Sequence, residues 1–336
     1  MCVRRTQLLG GSVPATEPAI LAEGLHKRYP GTVALDELDL TVPYGTVFGL
    51  LGPNGAGKTT AVRILTTLLR FDGGRAVVAG YDVAKQPRQV RHRIGLTGQQ
   101  AAVDDILTAK QNLMIFGRLF HIGKKAAARR ADELLAQFSL SEVANKAPKK
   151  FSGGMRRRLD LAASMILAPQ VLFLDEPTTG LDPSGRREVW QAIRDLTARG
   201  TTVLLTTHYL DEADQLCDRI AVVDQGRNLV EDTPDGLKRR IGNERLRVVV
   251  TDPSDLPAVA ALLAKVGMDA GEPTVDSADL SVSVAVDGVG ALTEVAVRLR
   301  EQEVTVADLG LRRPTLDEAF LALTGQSIAE RTEVAA

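Results

Sequence analysis

The sequence predicts an α/β protein built around a parallel sheet, with a helical insertion in that sheet and a small α+β domain after it. Three observations lead there. A short apolar run, Val47–Leu51, ends in a Gly-rich loop that opens a helical pattern, Lys58–Leu69. Two further apolar runs, Val171–Leu174 and Thr201–Thr206, are separated by a helical pattern at Pro183–Arg199, and such alternation argues a parallel sheet. After about Asp235 the character changes to short strands and helices in the order β-α-β-β-α-β.

Taken in order, apolar runs at Leu25–Tyr29 and Leu38–Val42 precede Val47–Leu51. A strand near Ala76–Ala79 follows the first helix, ahead of the segment Ile94–Gln99. From about Asp104 to Ala168 the residues Ala, Leu, Lys and Arg dominate and β-branched runs vanish, which favours helix. Val171–Leu174 is apolar throughout and closed by two acids, as expected of a strand buried on both faces. Pro183 near the first turn and Gly200 past the last bound the helix between them. In the C-terminal part Arg245–Val250, Pro273–Val275, Leu280–Val286 and Val304–Leu309 read as strands. Leu256–Lys265 and Ala291–Arg300 read as helices, and a last helix spans Leu316–Leu323. This is the split βαβ pattern of a ferredoxin-like fold. The expected organisation is residues 1–16 without order, a first domain over 17–237 with its helical subdomain at about 104–168, an accessory domain over 238–325, and a tail, 326–336, without order.

Bulk composition narrows the function classes. The chain has 336 residues, 44% hydrophobic and 25% charged, with a formal net charge of −1, so nothing global draws it to nucleic acid. Cys2 and Cys217 cannot make a disulfide framework, which fits a reducing compartment. No stretch reaches the roughly 18 apolar residues of a membrane span. The best candidate, Leu159–Leu174, is interrupted by Asp160, Pro169 and Gln170. Arg4 and Arg5 lead into no apolar segment, so no secretory signal is expected. His26, His92 and His121 have no ligand spacing, so no zinc site is expected.

The chemistry is carried by local motifs. Gly52-Pro53-Asn54-Gly55-Ala56-Gly57-Lys58-Thr59-Thr60 matches G-x-x-x-x-G-K-[ST], between a strand and a helix. Glycines let the backbone curl so that its N–H groups face a phosphate. The helix end adds a positive dipole, Lys58 a charge for the β/γ oxygens, and Thr59 a hydroxyl for Mg²⁺. Val171–Leu174 runs into Asp175 and Glu176. Asp175 is read as part of the Mg²⁺ shell and Glu176 as the base for a water attacking the γ-phosphate.

A third motif is more specific. Phe151-Ser152-Gly153-Gly154-Met155, lying between the other two, resembles the signature motif of ABC ATPases, with Phe151 and Met155 in place of the commoner Leu and Gln. Its Ser-Gly-Gly core offers donors at a helix N-terminus. The remaining family elements fall in order. Gln99 resembles the Q-loop glutamine near Mg²⁺, Gly180-Leu181-Asp182 the D-loop, and His208 the switch histidine that contacts the γ-phosphate. Tyr29 lies where the family stacks an aromatic ring on adenine. The resemblance covers roughly Ala19 to Leu237. It implies a P-loop ABC ATPase fold: a RecA-like parallel sheet with an antiparallel β subdomain and a helical insert. It also implies ATP and Mg²⁺ as cofactors, hydrolysis as the activity, and a head-to-tail dimer in which the signature of one chain faces the ATP of another.

A finer match is to the daunorubicin/doxorubicin-resistance type of ATP-binding subunit. It rests on Ile94-Gly-Leu-Thr-Gly-Gln99-Gln100, on Ser152-Gly-Gly-Met-Arg-Arg-Arg158-Leu and on Arg313-Pro-Thr-Leu-Asp317-Glu-Ala-Phe320-Leu. That family works with a separate ABC-2-type membrane permease at the cytoplasmic face of the membrane and exports hydrophobic molecules. Cargo is not encoded here. A soluble ABC ATPase acting on ribosomes or nucleic acid is the alternative. The C-terminal domain reads as a dimerisation or docking module, or as a ligand sensor. The basic clusters Lys124-Lys125, Arg129-Arg130, Lys149-Lys150 and Arg156–Arg158 read as a solvated face, or as neighbours of lipid headgroups or the permease.

Overall fold

The computed structural model describes residues 17–98, 102–240, 244–267, 272–286 and 288–324. The segments 1–16 and 326–336, expected to lack order, lie outside these. Contacts divide the chain into two units that meet between Glu231 and Asp232.

In the first unit the strands are β1 Ile20–Tyr29, β2 Thr32–Val42, β3 Val47–Leu51, β4 Gly73–Val78, β5 Tyr81–Asp82, β6 Ile94–Thr97, β7 Val171–Asp175, β8 Thr202–Thr207, β9 Arg219–Asp224 and β10 Arg227–Asp232. The helices are α1 Lys58–Leu65, α2 Pro87–Arg93, α3 Ala109–Leu119, α4 Lys124–Gln137, α5 Gly153–Ser164, α6 Pro183–Ala198 and α7 Leu210–Leu216. Four strands form a sheet in the order β2-β1-β4-β5, with every pair antiparallel. Six form a second sheet in the order β10-β9-β3-β8-β7-β6, in which β9, β3, β8, β7 and β6 run parallel. Every residue of β3, β7 and β8 is buried, which is why these strands read as unbroken apolar runs. One core joins the two sheets through α1. Ile20, Leu38 and Leu40 meet Val62, Ile64 and Leu65 from the helix and Phe48, Phe173 and Leu204 from the parallel strands.

The helices start where their caps allow. Thr108 and Gln111 form a reciprocal capping box at α3. Ser152 accepts from the Met155 amide at α5, and Asp182 from the Gly185 amide at α6, where Pro183 follows. Helix α6 buries Val189, Ile193 and Leu196 on one stripe, and each such side chain contributes about 1.5–3 kcal/mol of apolar burial. Helix α1 ends at Leu65, four residues before the sequence pattern suggests. There Thr66 turns its hydroxyl onto the Val62 carbonyl at 2.7 Å, and Thr67 adopts a φ of 64°.

The second unit contains α8 Pro234–Arg240, β11 Arg245–Val250, α9 Leu256–Leu263, β12 Thr274–Asp276, β13 Ser281–Ala285, α10 Val289–Glu301, β14 Val306–Arg312 and α11 Leu316–Thr324. The sheet order is β12-β13-β11-β14, antiparallel throughout. Strict alternation in β11 sends Leu246, Val248 and Val250 into the core beside Val259, Leu263, Val295 and Leu299. Thr315 and Glu318 bond reciprocally at the start of α11, and Leu316, Ala319 and Phe320 are buried. The Pro-Thr-Leu-Asp-Glu-Ala-Phe run is thus a capped helix that packs on α8. That contact places α8 in the second unit, six residues ahead of the boundary expected at Leu237.

Candidate functional site

Strands β3, β7 and β8 end in register, Leu51 opposite Thr207 and Asp175 opposite Thr206. The Gly-rich loop, the acidic pair and His208 therefore leave the same carboxyl edge of the sheet, where ligands of parallel sheets bind.

The loop Gly52–Gly57 is shaped by close approach. A Cβ on Gly52 would meet the Val223 carbonyl oxygen at 2.1 Å, and one on Gly57 the Ala34 carbonyl oxygen at 2.5 Å. Gly57, at a φ of 104°, caps α1. The turn between β9 and β10 is bonded to the loop. Gln225 and Gly226 both have positive φ, as a tight hairpin turn requires. The Gly226 amide donates to the Ala56 carbonyl and its own carbonyl accepts from the Asp36 amide, each at 3.0 Å. Pro53 is half-buried, Asn54 and Gly55 are exposed and Ala56 is buried. Thr59 and Thr60, in the first turn of α1, are half-buried.

Lys58 is buried, and its ammonium donates to the Gly52 and Pro53 carbonyls at 2.6 and 2.9 Å. Burial pulls its pKa down, opposed by the carboxylates of Glu176 and Asp175. Lys58 and the two acids thus share one sheet edge, close enough to feel each other's charge. Asp175 is buried, and its Oδ1 accepts from the Thr206 hydroxyl at 2.5 Å. Glu176 has a φ of 50°, a left-handed backbone that costs a bulky residue about 1–3 kcal/mol and that clusters at functional sites. Its Oε1 lies 3.3 Å from His208 Nδ1, and its Oε2 accepts from the Thr179 hydroxyl at 3.2 Å. The Tyr209 ring lies beside His208, tilted by 40°, with centroids 4.1 Å apart.

Other predicted residues stand apart from this group. Ser152 and Gly153 are exposed at the N-terminus of α5, and Gly154 is buried against Gly185 of α6. Among the described residues no hydrogen bond or ion pair joins Ser152–Gly154 to the loop Gly52–Thr60. Asp182 spends its Oδ1 on capping α6. Tyr29 is exposed at the end of β1, with Lys27 Nζ 5.8 Å from its ring centre. Gln99 and Gln100 lie outside the described residues.

The basic run Arg156–Arg158 is not a solvated face. Arg156 pairs with Asp105, and Arg158 donates to the Phe138 carbonyl and pairs with Glu188. Arg157 is buried and donates to backbone carbonyls on two segments, the turn Asp175–Pro177 and Gly98. The sequence reading also missed Thr206 and Glu212. Glu212 is buried and accepts from the Thr178 hydroxyl and the Trp190 indole. Burial raises its pKa, against hydrogen bonds from Thr207, Thr178 and Trp190 and the charge of Arg157. A signal existed for Arg157: Asp160, three residues on, is a lone acid in an apolar stretch and needs a partner.

A phosphate-shaped loop facing a buried acid and a strained, base-like glutamate suits a nucleoside triphosphate, and the class is that of the P-loop nucleotide hydrolases. The family described as ABC transporter matches residues 35–179. The daunorubicin resistance ATP-binding protein DrrA2 of Streptomyces coeruleorubidus is 61% identical, over 94% of this chain and 97% of its own length. The doxorubicin resistance ATP-binding protein DrrA of Mycobacterium tuberculosis is 47% identical, over 91% of this chain and 93% of its own. A solved ATP-binding subunit of an ABC transporter superposes with a TM-score of 0.59 at 26% identity, covering 66% of this chain and 93% of that one. The chain belongs to the daunorubicin/doxorubicin-resistance family of ABC transporter ATP-binding subunits. It is a nucleotide-binding, ATP-hydrolysing transport ATPase.

Proposed function

We propose that this chain is the motor of an exporter: it dimerises head to tail and drives efflux of hydrophobic compounds through a separate ABC-2-type permease, from the cytoplasmic face of the membrane. The observation that carries the reading is the split of the functional residues. Lys58, Asp175, Glu176 and His208 gather at one sheet edge, whereas Ser152 and Gly153 stand exposed on another element. A second copy of the chain would supply the missing face. The permease is supported by an apolar groove in the first unit, lined by Leu68, Ile94, Leu96, Phe116 and Phe120. Among the described residues no helix is long and apolar enough to cross a membrane, and in this reading the channel belongs to the permease. The names of the relatives, which speak of drug resistance, favour export over a role on ribosomes or nucleic acid.

In this reading the backbone of Gly52–Gly57 and the start of α1 at Lys58–Thr60 bind phosphate, and Tyr29 offers its exposed ring to the base. Lys58 exchanges the loop carbonyls for phosphate oxygens. The Thr59 hydroxyl and the Asp175 carboxylate are the hard oxygen donors that Mg²⁺ takes, with Gln99 named from its position in sequence. Mg²⁺, when bound, neutralises charge on the β- and γ-phosphate oxygens. Glu176 accepts the proton of the attacking water, and His208 and Thr179 hold its carboxylate in place. Asp182 acts at one remove, by fixing the start of α6. The second unit, with a strand order that suits a ferredoxin-like fold, serves as a docking or dimerisation module.

Replacing Glu176 by Gln tests the core of this. Steady-state turnover should fall by about 10²–10⁴ while ATP still binds, because the shape is kept and the base is lost. ATP should also convert the variant to a dimer on size exclusion. Normal turnover removes Glu176 as the base, and a monomer at saturating ATP removes the dimer.

A further inference from the structure

We infer that Arg157, paired with Asp160, is a positioning residue that sets the direction of the Glu176 carboxylate through the backbone. The inference rests on the proposed role of Glu176 as the base. Arg157 lies one helical turn past Gly153 on α5, and its side chain is buried. Its Nε donates to the Pro177 carbonyl at 2.8 Å, and its Nη2 to the Asp175 and Glu176 carbonyls at 3.3 and 3.4 Å. Three successive carbonyls around one residue thus converge on one guanidinium. That residue is Glu176, whose φ of 50° is the strained point of the turn.

Fixing the carbonyls on both sides of a residue fixes both its peptide planes, and with them the Cα–Cβ direction. Only a planar fork with five donors reaches so many acceptors at once; an ammonium offers three donors from a single point. Nη1 extends the same grip to the Gly98 carbonyl at 2.8 Å and lies 3.3 Å from Asp160 Oδ2. Asp160 Oδ1 in turn accepts from the Ala102 amide at 2.9 Å. The pair therefore ties the chain on either side of residues 99–101 to the turn that carries the base. Because Ser152 and Gly153 begin the same helix, one rigid turn separates the residues that would face a partner's nucleotide from the group that aims this chain's own base.

Removing Arg157 alone leaves a buried, unpaired Asp160, so loss of activity could be loss of fold. Arg157→Met combined with Asp160→Asn removes that charge and keeps the acceptor for Ala102. In the full-length chain, the double variant should regain most of the thermal midpoint lost by Arg157→Met. Its kcat should stay about a hundredfold below wild type with KM for ATP unchanged, the size expected when a reacting group is displaced by about 1 Å. Arg157→Lys, which keeps the charge and some donors, should recover part of that loss. If kcat returns together with the midpoint in the double variant, the role is structural and the inference falls. If the double variant does not fold, Arg157→Lys decides: wild-type kcat overturns the inference, and a lowered kcat at unchanged KM sustains it. Glu176→Gln is run alongside. Turnover surviving in that control overturns the assignment of the base itself, whereas a dead control with a fully active Arg157 variant overturns only the positioning role.

Discussion

Strand β3 delivers the phosphate loop, and its packing can be tested by a double-mutant cycle at Gly49 and Cys217. A Cβ built on Gly49 would lie 2.7 Å from Cys217 Sγ, whereas its next neighbours stand at 3.4 Å, Ile220 Cγ1, and 3.6 Å, Cys217 Cβ. Both positions sit in the interior, and Cys217 is 7% exposed. Gly49→Ala therefore forces one sulfur aside. Overpacking of this kind costs about 1–3 kcal/mol. A better strand former in place of Gly returns about 0.5–1 kcal/mol. The net loss is about 1 kcal/mol, or about 2–4 °C in the midpoint of a unit of this size. Cys217→Ala deletes one buried heavy atom and costs about 1 kcal/mol as well. Independent effects would lower the midpoint of the double variant by about 4–8 °C. With the sulfur gone the new methyl instead fills the space it left, so the double variant should lie within about 2 °C of wild type. Differential scanning calorimetry of the four proteins reads the cycle. Additive losses would refute the jigsaw contact and, with it, the account of why β3 carries a glycine at its centre.

Three further outcomes follow from the site. Lys58→Ala removes a charge-assisted contact worth about 1.5–3 kcal/mol, so ATP affinity by calorimetry should fall about 10- to 150-fold, and unchanged binding would count against the phosphate loop. Thr206→Val deletes the 2.5 Å hydrogen bond to Asp175 and should raise the Mg²⁺ concentration needed for half-maximal ATPase; an identical Mg²⁺ titration would show that Thr206 does not orient Asp175. Burial raises the pKa of Glu212 above its ordinary value of 4.5, so between that value and the raised one the folded chain holds a proton that the unfolded chain has released. This contribution to stability is full below the ordinary value and is lost as pH rises through the folded one. Glu212→Gln, uncharged throughout, should lose less of its thermal midpoint than wild type on going from acid to neutral pH, and parallel curves would refute the assignment.

What could be read in the sequence was what is local. The phosphate loop, the Asp175-Glu176 pair and the signature are contiguous runs, and the strands that carry them are buried on both faces, so their apolar character is unbroken. Helix α2 escaped notice because Pro87–Arg93 is polar nearly throughout and buries only Val90. Strand β9 was legible in the same way as those buried strands, since Ile220–Val223 is a buried apolar run bounded by Arg219 and Asp224, and it went unread. Arg157 was harder to read. Its neighbours Arg156 and Arg158 make a basic cluster, and charge runs usually face solvent. Asp160 hinted that one of the three turns inward, and the fold, by bringing Pro177 and Gly98 to one point, shows what the middle arginine grips there. Thr206 and Glu212 belong to no motif, and their roles come from what packs beside them.

The hairpin turn at Gln225–Gly226 has a consequence for how affinity divides over a nucleotide. It joins the loop at Ala56 to β2 at Asp36, and Asn228 and Arg227 add bonds to Asp39 and Asp36. The antiparallel sheet that ends in Tyr29 and the loop that ends in Lys58 are thus one welded frame. Contacts with the base and contacts with the phosphates then report on separate parts of a ligand without either reshaping the seat of the other. Exchanging adenine for guanine should shift the binding free energy by the same amount for di- and triphosphates, and the tail should be read independently of the head.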